Sequence, residues 1–78
     1  MKLVVEVVEA CDLMPKDGEG SASPYVEVDF GNQLSRTTTV PKNLNPIWNQ
    51  KLLFNLEEAR NYLHQTIEVS VHHQRKPN

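Results

Sequence analysis

Apolar and polar residues alternate with a period of two through most of this chain, which is the periodicity of strands with one buried face. In segment 2–10, KLVVEVVEA, Leu3, Val5 and Val7 fall on one face and Val4, Glu6 and Val8 on the other. β-Branched residues dominate there, which favours strand over helix. In segment 24–30, PYVEVDF, Val26, Val28 and Phe30 alternate with Tyr25, Glu27 and Asp29. Gly31-Asn32 follows as a tight turn. Segment 34–40, LSRTTTV, reads as a strand polar on both faces and therefore near an edge. Segment 47–56 places Trp48, Leu52, Phe54 and Leu56 on one face, and 66–72 alternates Ile67, Val69 and Val71. Residues 57–63, EEARNYL, could form a helical turn. Five strands broken by Pro, Gly and Asn give an all-β antiparallel reading.

If each strand reverses direction, the connections after the first, third and fifth strands share one end of the domain. Those connections are 11–23, 40–46 and 73–78. They are also the most irregular segments, and binding groups commonly sit on such clustered loops.

The chain has 78 residues, 38% of them hydrophobic, which allows one domain with a small core. Cys11 is the single cysteine, so no internal disulfide forms, which fits a reducing compartment such as the cytosol. Ten acids against eight Lys and Arg give a net charge of -2, which is not the basic balance of a nucleic-acid binder. The longest apolar run, as in Leu3-Val4-Val5, is far short of a membrane span, and the N-terminus lacks a signal-peptide apolar stretch. Membrane contact is therefore expected to be peripheral, or to be supplied by sequence outside these residues.

Three strings carry a family resemblance. LVVEVVEACDLMPKDGEGSASPYVEV resembles the opening of a C2 domain, with an alternating strand, a Gly-containing loop, then Ser-x-x-Pro-Tyr-Val and a second strand. NLNPIWNQKLLFNL resembles that family's Asn-Pro-x-Trp-Asn stretch and the strand after it, and IEVSV the strand before the third binding loop. The phrase LMPKDGEGSASPYVEVDF particularly resembles the first C2 domain of the plant multiple C2 domain and transmembrane region proteins. The resemblance implies an antiparallel Greek-key β-sandwich of C2 type, in the type II-like arrangement. The family has eight strands, so residues 1–78 are expected to be a partial C2 domain, truncated at its C-terminus to about five strands. Strand 66–72 would then offer an unpaired edge, open to a homodimer through strand pairing.

The resemblance also locates a calcium site. Asp17 stands at the first aspartate of the first loop, and Ser23 at the second. His73 and Arg75 stand where the third loop has its Asp-x-Asp pair. One acid in four positions, with a fixed cation among the rest, is a poor set for an ion that takes about six to eight oxygens. Asp17 is read as a vestigial ligand, and no cofactor is expected. The three loops instead carry Lys16, Lys42, Arg75 and Lys76 against Asp12, Asp17 and Glu19, a net +1, while the remainder carries -3. Lys16, Asp17, Lys42, Asn43, His73, Arg75 and Lys76 are the expected membrane- or partner-facing residues. The function implied is calcium-independent, or weakly calcium-dependent, docking to anionic phospholipid membrane within a tethering or trafficking protein. The resemblance places such a protein in the cytoplasm at the membrane surface, at endoplasmic reticulum–plasma membrane contacts or plasmodesmata.

The competing reading is a protein–protein interaction module that uses the sheet edge or the loops without lipid. Zinc is disfavoured because adjacent His72 and His73 on a strand point to opposite faces, and His64 supplies no paired spacing. Catalysis is disfavoured because Ser21, Ser23, Cys11, the histidines and Asp17 form no nucleophile elbow, phosphate loop or paired-carboxylate pattern.

Overall fold

A computed structural model describes residues 1–57 and 65–75. Its strands are β1 (Lys2–Glu9), β2 (Pro24–Phe30), β3 (Gln33–Arg36), β4 (Ile47–Asn55) and β5 (Ile67–His73). They form two sheets, β1-β4 and β3-β2-β5, with every pairing antiparallel. The all-β expectation therefore holds, with the limits of β1, β2, β4 and β5 within a residue of the alternation. The helical turn expected over 57–63 lies outside the described residues, except for Glu57, which is in a turn.

The core forms where the even-numbered rows of β2 and β4 meet. Val26, Val28, Phe30, Trp48, Leu52 and Phe54 make one buried cluster, flanked by Leu3, Val5, Val7, Ala10, Val40 and Leu56. Phe30 and Phe54 meet edge to face at 6.1 Å, an arrangement worth about 0.5–1.5 kcal/mol beyond burial. The Trp48 indole N–H donates to the Thr38 carbonyl at 3.0 Å, so the ring packs without stranding its donor.

Two local features follow from residue chemistry. Gly31 and Asn32 both take positive φ, 54° and 67°, as a two-residue type I′ hairpin requires, and this sets the register Phe30↔Gln33. The β1-β4 ladder shifts between Val7 and Glu9, where Asn49 sits at φ 48°. Asn tolerates that left-handed conformation better than most residues, so it suits a bulge beside Trp48.

Segment 34–40 is a correction. β3 does lie at a sheet edge, but regular strand ends at Arg36, and Thr37 beyond it is buried rather than solvated. Its hydroxyl accepts the Val26 N–H at 2.9 Å and donates to the Thr38 carbonyl at 2.9 Å. The threonine run is therefore an internal hydrogen-bonding device that ends a strand, a use which alternation alone cannot reveal.

On the outer face of the three-stranded sheet, Tyr25 stacks on His72 at 5.3 Å and Arg36 lies 5.2 Å over the Tyr25 ring. Glu27 lies 3.3 Å from Arg36 and 3.8 Å from His72. These contacts tie β3 and β5 to β2 from outside, each by a modest amount at such exposure.

Candidate functional site: the loop end of the sheets

The connections after β1 and β3 and the end of β5 do converge. Leu13 N–H donates to the Leu44 carbonyl at 3.0 Å, and Asn43 N–H to the Ala22 carbonyl at 2.8 Å. Ser23 joins all three segments. Its N–H donates to His73 Nδ1 at 3.0 Å, its hydroxyl oxygen accepts the Lys42 N–H at 3.1 Å, and its carbonyl accepts the Gln74 N–H at 2.8 Å. The residue standing at an aspartate position of the resemblance thus spends its polar groups on holding loops together.

Loop 11–23 is built around Asp17. Its Oδ1 accepts the N–H groups of Glu19 at 2.8 Å and Ser21 at 3.0 Å, while Lys16 and Asp17 N–H both donate to the Ser21 carbonyl. Gly18 and Gly20 sit at φ 78° and 82°, where a side chain would strain the backbone despite ample room. The second carboxylate oxygen, Oδ2, is buried without a hydrogen bond. Lys42 Nζ lies 3.6 Å from it, at ion-pair distance, and also pairs with Glu19 Oε2. The two N–H groups, with the Lys42 charge, hold the Asp17 carboxyl below its ordinary range. The Glu19 carboxylate, seconded by Asp17, holds the Lys42 amine above its own.

Between the first loop and the end of β5 lies a cleft of about 660 Å³. Leu13, Met14, Lys16, His73 and Arg75 are among the residues that line it, and Met14 is 71% exposed. Of the residues expected to face a membrane or partner, Lys16, Asp17, His73 and Arg75 line this cleft. Lys42 and Asn43 lie on the neighbouring loop, and Lys76 lies outside the described residues. His72 and His73 face opposite sides of β5, one against Tyr25 and the other against Ser23. Sequence reasoning missed Leu13 and Met14 as apolar lining, and it missed the pairing of Lys42. The shared end of loops 11–23 and 40–46 was the available signal for that pairing.

The donor set does not fit calcium. Asp17 and Glu19 share a lysine ammonium, the Ser23 hydroxyl accepts a backbone N–H, and a guanidinium lies across the cleft. Among the described residues, no group of three or more His, Cys, Asp and Glu side chains could hold a metal ion. No helix among them is long and apolar enough to cross a membrane.

The sequence pattern of the C2 domain matches residues 1–78. Over 77 residues the chain is 65% identical to multiple C2 domain and transmembrane region protein 2 of Arabidopsis thaliana, covering 97% of this chain and 7% of that protein. It is 47% identical over 75 residues to Protein QUIRKY of the same plant, covering 96% and 7%. The chain thus spans under a tenth of the length of these curated relatives. Among solved structures, C2 domain A of plant extended synaptotagmin 1 superposes with TM-score 0.84 at 32% identity, covering 99% of this chain and 59% of that one. C2 domain A of RIM2 gives TM-score 0.76 at 29% identity, covering 96% and 66%.

Proposed function

The chain belongs to the C2 domain family, and on that premise we propose that it docks its loop end onto anionic phospholipid without calcium, as one module of a membrane-tethering protein. The observation that carries this reading is the cleft itself. It sets exposed Met14 and half-buried Leu13 beside Lys16, Arg75 and His73, while the acids of the same lining, Asp17 and Glu19, are paired with Lys42. Among the described residues no ion pair holds Lys16 or Arg75, so both charges are available to a phosphate. The relatives' names, which join C2 domains to a transmembrane region, support a setting close to a bilayer.

Each base near an anionic surface contributes about 1 kcal/mol, so a single tip binds weakly and tandem modules would add avidity. Vesicle flotation tests the reading. The protein is expected to float with phosphatidylserine vesicles equally in chelator and in calcium, less as salt rises, and not with phosphatidylcholine alone. Replacing Lys16 and Arg75 together by alanine is expected to lower partitioning by about 30-fold. Flotation that requires calcium would overturn the reading. No flotation under any condition would transfer the tip to a protein partner.

A further inference from the structure

We propose that the Lys42 ammonium is the resident cation of the loop tip, filling the place between Asp17 and Glu19 that a divalent ion would take. A carboxylate oxygen such as Asp17 Oδ2, buried without a hydrogen bond, is costly unless a positive charge lies beside it. The Asp17 side chain is only 9% exposed, so water gives little relief. The nearby charge is Lys42 Nζ at 3.6 Å, which also pairs with Glu19. Two carboxylates from one loop converging on one cation from another is how a bound metal joins loops, here achieved with a side chain.

The backbone is arranged for this. Lys42 takes φ 49°, uncommon for a residue with a long side chain. Its N–H is held by the Ser23 hydroxyl, and the next N–H, of Asn43, by the Ala22 carbonyl. Loop 40–46 is thus moored to loop 11–23 on both sides of the Lys42 Cα, which directs the amine at the carboxylates. The lowered Asp17 carboxyl and the raised Lys42 amine agree with this arrangement.

The inference deepens the docking reading, because a tip that carries its own cation has its loop shape before it meets a membrane. It is testable without lipid, so the two can fail separately. Thermal melting of the protein would be recorded in chelator and in about 10 mM calcium, for the natural chain and for K42R, K42Q and the double variant D17N/K42Q. The natural chain and K42R are expected to melt alike in both. K42Q is expected to melt lower in chelator, having left the buried Asp17 Oδ2 without the Lys42 ammonium beside it. Calcium should then bind K42Q weakly, with Kd about 10⁻³ M, and raise its folded-to-unfolded ratio about tenfold. D17N/K42Q should ignore calcium.

If K42Q does not fold in chelator, calcium-driven folding supports the proposal and continued failure overturns it. Stabilisation of the natural chain by calcium overturns it. So does K42Q melting like the natural chain, or losing stability without responding to calcium, since Lys42 would then be an ordinary surface pair. If these melting results stand and the protein still fails to float on vesicles, only the docking reading falls.

Discussion

Val28 and Val69 are direct ladder partners, on the same face of one sheet, yet Val28 is 0% exposed and Val69 is 60% exposed. Their neighbours repeat the contrast. Val26 and Phe30 are buried, while their partners Val71 and Ile67 are about half exposed. Both strands alternate equally well, and β5 is the less burdened with charge. What differs is the layer opposite. The row of β2 lies against Trp48, Leu52 and Phe54 of β4, and among the described residues nothing comparable covers the row of β5. A period of two therefore assigns a face and says nothing of depth.

That contrast can be broken by substitution, beginning with the layer that makes it. Phe54→Ala should cost about 3–5 kcal/mol, because it removes the buried ring that meets Phe30. Such a loss is comparable with the whole stability of a small domain, so the urea transition should move to very low denaturant or vanish. The matched pair comes next. Val28→Ala should cost about 2–3 kcal/mol, while Val69→Ala should cost under about 1 kcal/mol, since most of its surface is already in water. Equal shifts in urea midpoint for the two variants would mean that β5 is covered in solution.

The smallest effect is confined to the tip and concerns pH. Asp17 is held below its ordinary 3.8, so its contribution is complete above that value and is lost as pH falls through the lower folded-state value. Lys42 is held above its ordinary 10.5, so its contribution is complete below that value and is lost as pH rises through the higher one. Between the two the Asp17–Lys42 pair should be indifferent to pH. The amide signal of Ser21, which donates to Asp17 Oδ1, is expected to stay fixed from neutrality down to about pH 4 and to shift below it. Asp17→Asn should abolish that acid transition.

The strands were legible because alternation and β-branching act locally. The hairpin at Gly31-Asn32 was legible because so few residues accept its backbone. The shared end of the loops followed from parity alone. The burial of Thr37 was not legible, because a threonine that satisfies its hydroxyl internally looks the same in sequence as one in water. Nor was the partner of Lys42, although both loops were expected at one end. Counting it among the tip's bases treated charge as additive, whereas in the structure that ammonium is spent on Asp17 and Glu19. Among the described residues, the lining bases that no ion pair holds are therefore Lys16 and Arg75.

Ser23 gives the tip a collective behaviour. Its amide, hydroxyl and carbonyl each engage a different segment or atom, so releasing one connection loosens the grip on the others. The amides of Ser23, Lys42 and Gln74 should then exchange with deuterium at one common rate, set by a single opening event rather than by three separate loops. A membrane meeting this end would press on one plate.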